Sequence, residues 1–324
     1  MITGSPSTIG ENMFGMWSPG DRCFIWELKR MKRVLLLGAT GMLGSAVYGV
    51  LNKKYDLVLG IRNLEKLTLL EKSYGSTNGH TVLPFDAASV YQDYAAKKGG
   101  PGQYMSEFLR RVGEVDHVIN AVGVTIPFSM REPALTFFVN GALPRILAEA
   151  FGVKLIHITT DCVYSGKEGF PYDENSPKSP TDLYGLSKSL GEPANCLTIR
   201  TSIIGRELDG FTGLLEWFLQ QNGKTITGFA EHYWNGITTQ QFGKLCDRVM
   251  QSPDSFPRRG VYHVFSTVVS KYEMLLAFQR KYGIRCTIKA DNENRLNRSM
   301  SSVKELNRLL QVPSFSDMVE DLEP

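Results

Sequence analysis

Between residues 33 and 201, short apolar runs alternate with helix-like stretches, and this alternation restricts the fold more than any other feature of the sequence. The strand-like runs are 33–37, 56–61, 81–85, 116–121, 154–159 and 196–201. The helix-like stretches are 41–52, 63–73, 103–112, 132–151 and 181–193. Such alternation is typical of βαβ units, whose right-handed crossovers build a parallel sheet covered on both faces. We therefore predict an α/β fold with a doubly wound parallel sheet.

The regular alternation ends after residue 201, where loops with Gly and Pro separate helix-like stretches at 211–221, 238–251, 271–282 and 303–310. This predicts a sheet domain over 31–200 and a smaller C-terminal cap over 201–324, which binds substrate and returns some segments to the sheet domain. A cap of this kind closes a cleft over the carboxyl ends of the strands. Residues 1–30 have the period of neither a strand nor a helix. We expect an extension there, either a disordered or a non-native leader ahead of Met31.

Composition excludes several classes of protein. The residues AVILMFWYC make up 42% of the chain and charged residues 21%, which excludes a disordered or collagen-like chain. The formal charge is +3, from 36 Lys and Arg against 33 Asp and Glu, and does not favour a nucleic-acid partner. No run approaches the roughly 18 apolar residues of a spanning helix, and no signal peptide is visible. We therefore expect a cytoplasmic protein with a small-molecule partner and no membrane contact.

The histidines and cysteines give no metal-binding or disulfide pattern. The sequence contains no HExxH, no CxxC and no clustered spacing among His80, His117, His157, His232 and His263. The five cysteines are scattered without pairs, and we interpret Cys162 as a small buried side chain. We predict no catalytic metal.

A glycine loop, Gly38-Ala39-Thr40-Gly41-Met42-Leu43-Gly44, lies between the first strand-like run and the first helix-like stretch. Glycines there permit a tight turn and close approach of a pyrophosphate to the backbone, and the helix offers unpaired N–H groups. Three glycines in seven positions also occur by chance, but the strand before and the helix after favour dinucleotide binding in a Rossmann domain. The predicted cofactor-binding residues of the loop are Gly38, Thr40, Gly41, Met42, Leu43 and Gly44.

The end of the second strand indicates which dinucleotide is bound. A carboxylate there accepts from the ribose 2′-OH of NAD, whereas an Arg accommodates the 2′-phosphate of NADP. Arg62 is the first charged side chain past that strand, so NADP(H) is favoured over NAD(H), unless Arg62 only solvates the next helix. Asp86, after the third strand, either lies beside the adenine or caps a turn. Ala121, at the end of the fourth strand, completes the predicted cofactor set.

Tyr184 and Lys188 stand four residues apart, on one face of a predicted helix. A nearby cation favours the ionised phenol, so we expect Lys188 to lower the pKa of Tyr184 and make it a proton donor and acceptor. The same spacing occurs at Tyr94 and Lys98, but Tyr94 lies in a polar stretch while Tyr184 follows the fifth strand. The alternative for Tyr184 is a surface pair without consequence.

The fifth strand ends in Thr159 and Thr160, which point to opposite faces because side chains alternate along a strand. We choose Thr160 as the hydroxyl that hydrogen-bonds a substrate carbonyl as charge develops on its oxygen. A threonine at a strand end is otherwise a common structural residue.

Together these residues resemble the extended short-chain dehydrogenase/reductase family. Its marks are a GxxGxxG loop, a Ser or Thr about two dozen residues before YxxxK, and a substrate cap. Here Gly38, Gly41 and Gly44, then Thr160, then Tyr184 and Lys188 fill those positions. The resemblance covers residues 31–324.

Within the family, the likeness is greatest to nucleotide-sugar reductases of the dTDP-4-dehydrorhamnose reductase kind. The segment 159–166 (TTDCVYSG) is similar to their STDYVFDG, and 182–185 (DLYG), 200–202 (RTS), 235–239 (NGITT) and 295–299 (RLNRS) are similar to further motifs. Ile203 replaces a usual Trp and Leu296 a usual Pro, both on the substrate side. Cys162 stands where sugar-nucleotide dehydratases carry Glu, so dehydration is disfavoured.

The resemblance implies that NADPH reduces a keto group, at C4, on a nucleotide-diphosphate-linked deoxysugar. Tyr184 would protonate the alkoxide, Thr160 would orient the carbonyl, and Lys188 would hold the nicotinamide ribose. The expected substrate-binding residues are Val124, Thr125, Asn140, Asp161, Arg206, Arg295 and Arg298. The arginines are candidates for the diphosphate because a guanidinium suits it, although an exposed Arg is often only solvated.

Two other functions remain open at this point. One is a nucleotide-sugar epimerase or dehydrogenase with the same triad, and the other is a non-catalytic NADP-binding regulatory subunit. The resemblance also implies a homodimer, formed through the helices at 132–151 and 181–193.

Overall fold

The computed structural model describes residues 30–96 and 102–322. The extension predicted over residues 1–30 lies outside these residues except for Arg30, as does Lys98 of the second Tyr–Lys spacing. The strands are β1 Arg33–Leu37, β2 Asp56–Ile61, β3 Thr81–Pro84, β4 His117–Asn120, β5 Leu155–Thr160, β6 Leu197–Thr201, β7 Ile203–Ile204, β8 Thr225–Trp234, β9 Ile237–Thr238, β10 Gly260–His263, β11 Val269–Ser270 and β12 Thr287–Asn297.

The α-helices lie between these strands and after the last of them. They are α1 Met42–Leu51, α2 Leu67–Tyr74, α3 Ala87–Ala96, α4 Gln103–Val112, α5 Ile126–Ser129, α6 Pro133–Phe137, α7 Leu143–Phe151, α8 Leu183–Leu190, α9 Leu214–Leu219, α10 Thr239–Gln251, α11 Lys271–Tyr282, α12 Leu306–Leu310 and α13 Phe315–Glu320.

The central sheet of the described chain is parallel, in the order β10-β6-β5-β4-β1-β2-β3. β1 lies between β2 and β4, so the chain reverses its direction of winding at β1. In open α/β sheets, ligands bind in the crevice outside the carboxyl ends of the strands at such a point. The predicted doubly wound α/β fold is confirmed.

Burial on both faces explains why the strands read as apolar runs. Leu35 and Leu37 of β1 pack with α4 and α7 on one face of the sheet, and Val34 and Leu36 pack with α1 and α10 on the other. All four side chains are fully buried. A strand covered on two faces needs apolar residues at successive positions rather than at alternate ones.

The C-terminal part of the described chain, residues 201–322, here called the cap, contains a second sheet that the sequence analysis did not predict. It has three strands in the order β11-β8-β12, packed on a core that includes Phe218, Trp234 and Phe278. β12 has no recognisable strand pattern in the sequence because its residues are mostly exposed and its register shifts between Asp291 and Arg295. Two segments of this half lie against the sheet domain: β10 pairs with β6, and α10 packs on α1.

The predicted helix at 132–151 is interrupted. α6 and α7 are joined by a π-helical turn at Phe138–Ala142. Pro144, in the first turn of α7, has no N–H to donate to the carbonyl of Asn140, so the regular helix cannot continue there. The wide turn places Asn140 in the interior beside α8.

A buried ion pair anchors the end of α8 to β6. Glu192 accepts from Arg200 Nε at 2.9 Å and from Nη2 at 2.7 Å, and both side chains are almost fully buried. Arg200 Nη1 also lies 2.8 Å from Nε2 of His263. Glu192 also pairs with the partly exposed Lys178, whereas the buried Arg200 guanidinium has Glu192 as its carboxylate partner and depends on it.

We expect Glu192→Gln to lower the free energy of unfolding by about 3 kcal/mol, because the substitution leaves the buried Arg200 charge uncompensated. Urea denaturation measures this. The matched control is Glu305→Gln at the exposed pair of Glu305 and Arg308, whose effect should stay within about 0.5 kcal/mol. Equal effects of the two substitutions would contradict the assignment.

Candidate active site

The glycine loop is shaped by close backbone contacts. Gly38 adopts φ +79°, a left-handed conformation that favours glycine, and its N–H donates to the Gly60 carbonyl at 2.9 Å. A side chain at Gly44 would put its Cβ 2.1 Å from the Gly38 carbonyl oxygen. Gly41 caps α1 without a side chain. The loop therefore brings bare backbone and the start of α1 to the carboxyl end of β1.

A cavity of about 200 Å³ lies beside this loop. Of the predicted site residues, it is lined by Gly38, Thr40, Gly41, Arg62, Asp86, Ala121 and Val124. Met42, Leu43 and Gly44 do not line it: Leu43 packs in the core beneath the sheet, and the backbone at Gly44 contacts Gly38. Leu43 and Gly44 thus have a packing role in this structure, and the contact of Met42, Leu43 and Gly44 with a cofactor stays a prediction.

The rim of the cavity at the end of β2 is basic. Arg62 is exposed and lines the cavity together with Lys66, which the sequence analysis missed. Lys66 Nζ is 2.8 Å from Asp209 Oδ2. Arg62 precedes the 3-10 turn Leu64–Lys66, so no helical spacing relates the two residues and no sequence pattern identifies Lys66.

Asp86 caps a helix and lines the cavity, and its position beside an adenine stays a prediction. Its carboxylate accepts from Ala88 N at 3.3 Å and from Ser89 N at 3.2 Å, and so caps α3. The same residue lines the cavity.

Thr160 and Tyr184 converge at the end of β5. The Thr160 hydroxyl donates to Asp161 Oδ1 at 3.1 Å and accepts from Cys162 N at 3.1 Å, and it lies close enough to the Tyr184 hydroxyl to lower the pKa of that phenol. Thr159 Oγ1 is buried and has no hydrogen-bond partner in the described part of the chain.

Two contacts fix the start of α8 against β5. Asp182 caps the helix by accepting from Gly185 N at 2.7 Å. A Cβ at Gly185 would lie 2.2 Å from the Cys162 carbonyl oxygen, so only glycine allows this approach. The helix therefore presents Tyr184 directly to Thr160.

The expected lowering of the Tyr184 pKa is wrong for this chain. Burial raises the pKa of the phenol above its usual value of 10.0, and the carboxylates of Asp161 and Asp182 raise it further. Thr160, beside the phenol, acts in the opposite direction. Desolvation disfavours the charged form of a phenol more than the neighbouring groups favour it.

Lys188 lies one turn along α8, and its side chain is 5% exposed. Burial lowers its pKa from 10.5 to about 8, against the opposing charge of Glu192. A Cβ at Gly123, in the cavity wall, would lie only 2.9 Å from Lys188 Nζ. The ammonium therefore reaches the backbone that lines the cavity.

Asn140, expected to bind substrate, is fully buried and holds two neighbouring segments instead. Its Oδ1 accepts from Val124 N at 3.0 Å, and its Nδ2 donates to Val124 O and to Ser187 Oγ, both at 3.1 Å. These bonds tie the cavity wall to α8. Thr125, which follows Val124 in the chain, is exposed and is the N-cap residue of α5.

The three candidate arginines lie in different places. Arg298 donates from Nη1 to Cys162 Sγ at 3.4 Å and from Nε to the Tyr164 carbonyl at 3.1 Å, so it adjoins the Thr160 cluster. Arg295 is exposed on β12. Arg206 pairs with Glu216 at 2.7 Å and lines a different cavity, between α1 and α10. The structure therefore does not bring Arg206 to the candidate site.

Lys271, the first residue of α11, is a cation near this cluster that the sequence analysis missed. Burial lowers the pKa of its ammonium and Arg298 lowers it further, whereas the Asp161 carboxylate favours the charged form. Its Nζ lies 5.4 Å from the centre of the Trp234 ring. Trp234 is buried in the cap core, as a structural aromatic would be.

No helix within the described residues is both apolar enough and long enough to cross a lipid bilayer. No three or more His, Cys, Asp or Glu side chains are grouped there so that they could hold a metal ion.

The family described as "RmlD substrate binding domain" matches residues 105–316. A spore coat polysaccharide biosynthesis protein, SpsK, of Bacillus subtilis (strain 168) is 26% identical over 184 residues, which are 53% of this chain and 63% of that protein. A dTDP-4-dehydrorhamnose reductase of Streptomyces griseus is 46% identical over 66 residues, which are 19% of this chain and 22% of that protein. The chain thus matches less than two thirds of the length of these relatives.

A solved structure has the same fold over most of the chain. The dTDP-4-dehydrorhamnose reductase of Bacillus anthracis str. Ames, in complex with NADP, gives a TM-score of 0.64 at 19% identity. The match covers 90% of this chain and 98% of that one.

We expect burial of Lys188 to make stability depend on pH. Between pH 8 and 10.5 the unfolded state holds more protons on this lysine than the folded state, so wild-type stability rises with pH across this window relative to Lys188→Met. The gain should reach up to about 3 kcal/mol. Urea unfolding of both proteins, below pH 8 and up to 10.5, measures the difference. A difference independent of pH would contradict the burial.

Proposed function

This chain belongs to the RmlD substrate-binding domain family, and from that premise we propose that it is an NADP(H)-dependent reductase of a keto group, at C4, on a nucleotide-diphosphate-linked deoxysugar. One observation carries the proposal. The Tyr184 hydroxyl lies beside Thr160, while Lys188 reaches Gly123 in the wall of the cavity beside the glycine loop. Lys188 thus links a cavity suited to a dinucleotide with a proton donor, one turn away on α8, and with a carbonyl-orienting hydroxyl.

The residues around the cavity fit a nicotinamide dinucleotide. Bare backbone at Gly38 and Gly41 leaves room for a pyrophosphate, which the first N–H groups of α1 would bind. Arg62 and Lys66 would hold a 2′-phosphate, Asp86 would lie beside the adenine, and Ala121 beside the nicotinamide side of the cofactor. When bound, the nicotinamide supplies a hydride to the ketone carbon.

Tyr184 gives its phenol proton to the ketone oxygen as that oxygen becomes an alkoxide. Thr160 donates a hydrogen bond to the same oxygen, in place of the one it gives Asp161. The raised pKa of Tyr184 suits this role because it keeps the phenol protonated until the alkoxide forms. Lys188 holds the nicotinamide ribose and favours the phenolate that remains.

The substrate would lie between the end of β5 and the cap. Asp161 and Arg298 adjoin the Thr160 hydroxyl and are the predicted substrate residues that this arrangement supports best. Val124 and Thr125 would form the wall opposite, held by Asn140. The nucleotide-sugar substrate is also supported by the name of the reductase of Streptomyces griseus.

We also propose a homodimer through α7 and α8. Leu186 and Leu190 of α8 are 42% and 50% exposed, so this helix presents apolar surface on the face away from Thr160. Burying those side chains against a second copy would be favourable.

Tyr184→Phe should lower turnover by about 10²- to 10⁴-fold, because it removes the proton donor without changing the shape of the side chain. NADPH oxidation, followed by absorbance with a panel of nucleotide-linked 4-keto-sugars, measures turnover. The dissociation constant for NADPH should stay unchanged.

The matched control is Tyr94→Phe, at the tyrosine with the same spacing to a lysine, which packs on Phe138 away from the cavity. It should turn over as the wild type does. Turnover near the wild-type value in Tyr184→Phe, or no NADPH oxidation with any keto-sugar, would refute the proposed reductase.

Cofactor preference follows from the basic rim. Arg62→Ala should weaken NADPH binding by about 10-fold or more, because it removes a charge-assisted hydrogen bond to the 2′-phosphate, while NADH binding stays constant. Fluorescence titration with each cofactor measures both affinities. Lys72→Ala, on α2 and outside the cavity lining, is the control. An equal loss for both cofactors would contradict a role in selecting the 2′-phosphate.

A further inference from the structure

Lys271 is a cation on the cap side of the cleft for which the proposed mechanism has no use. Its backbone is held firmly. Ser270 and Glu273 form a capping box at the start of α11, with bonds of 2.7 Å and 3.1 Å. Val269 pairs with Trp234 of β8 on the preceding strand. The side chain therefore starts from a fixed point in the cap.

The Lys271 ammonium contacts an aromatic face rather than an oxygen. Its Nζ lies 5.4 Å from the centre of the Trp234 ring, which attracts the charge but accepts no conventional hydrogen bond. Among the described residues, Nζ of Lys271 has neither a hydrogen bond nor an ion pair with an oxygen. Its three N–H donors are thus available to a ligand.

The neighbours of Lys271 place it beside the reacting groups. Ser270, just before Lys271, pairs with Tyr233 of β8, and Asn297, just before Arg298, pairs with Tyr233 from the other side, so Lys271 and Arg298 lie at the same end of the cap sheet. Asp161, which directly follows Thr160, favours the charged form of Lys271. The Asp161 carboxylate accepts the Thr160 hydroxyl, and Cys162 Sγ accepts from Arg298. Lys271 and Arg298 therefore supply two cations next to the end of β5.

Several other lysines of the described chain have an oxygen partner, as Lys154 has in the Val115 carbonyl, and some of these partners are carboxylates. Lys54 pairs with Asp247, Lys178 with Glu192, and Lys66 with Asp209. Lys188 and Lys271 do not, although burial penalises the charge of both. A partly buried ammonium without an oxygen partner costs free energy that an anionic ligand would offset.

We propose that Lys271 binds an anionic oxygen of the substrate, beside Arg298 and on the cap side of Thr160. This inference rests on the proposed function, because it takes the substrate to be a nucleotide-linked sugar. A phosphate oxygen of the diphosphate or a carboxylate on the sugar ring would satisfy the same ammonium. Ligands that carry only the diphosphate, or both the diphosphate and a sugar carboxylate, distinguish the two sources.

Calorimetric titration tests the inference without turnover. The ligands are uridine diphosphate, thymidine diphosphate, UDP-glucose and UDP-glucuronate, each titrated into wild type, Lys271→Met and Lys271→Arg. Lys271→Met should raise the dissociation constants by about 10-fold or more, because a charge-assisted hydrogen bond is lost, and Lys271→Arg, which keeps the cation, should lose less. NADPH binding to Lys271→Met should equal that of the wild type, which excludes a folding defect.

Lys244→Met is the matched control, because Lys244 pairs with Asp321 and lies outside the cavity beside the glycine loop. Weaker binding of all four ligands by Lys271→Met identifies the diphosphate as the partner, and a loss confined to UDP-glucuronate identifies the sugar carboxylate. Unchanged binding of all four overturns the inference and leaves the proposed reductase standing. Failure of the wild type to bind any of them overturns the substrate class and the inference together.

Discussion

The close approach of α8 to the end of β5 is the contact on which the candidate site depends. A Cβ at Gly185 would meet the Cys162 carbonyl at 2.2 Å, so the helix can lie this near only with glycine there. This approach places Tyr184 beside Thr160 and Lys188 beside Gly123. Asn140 reinforces it from the other side, because its buried amide bonds both Val124 and Ser187. One packing contact thus aligns the proposed proton donor with the cavity.

The parts of the fold that sequence could predict are those in which burial dictates residue type. β1 is covered on both faces, so Val34–Leu37 must be apolar at every position, and the run is visible without a structure. β12 is mostly exposed along its length, so its polar residues carry no such pattern. The interruption of the helix at 138–142 also needed the structure, since Pro144 alone predicts a break but not a π-helical turn.

The same distinction holds for the site: residues related by local spacing could be predicted, and residues brought in by long-range contacts could not. The glycine loop and the pair Tyr184 and Lys188 are encoded within a few residues, and the structure brings them to one end of the sheet. Lys66 and Lys271 lie near the site only because α2 and the cap fold back toward it, and no spacing in the sequence reports this. Arg206 is the converse case. Its guanidinium pairs with Glu216, ten residues along the chain, and lines another cavity.

The sign of the Tyr184 pKa shift shows why geometry must accompany spacing. A lysine four residues away should favour the phenolate, yet Lys188 is itself desolvated, and burial of the phenol dominates. A raised pKa is nevertheless compatible with a proton donor, because the proton must stay on Tyr184 until a stronger base, an alkoxide, forms beside it. Lys188 and Lys271 resemble each other in this respect. The fold holds each ammonium without a carboxylate partner, Lys188 toward the cavity and Lys271 toward the cap. Each therefore favours the negative charge of a bound ligand.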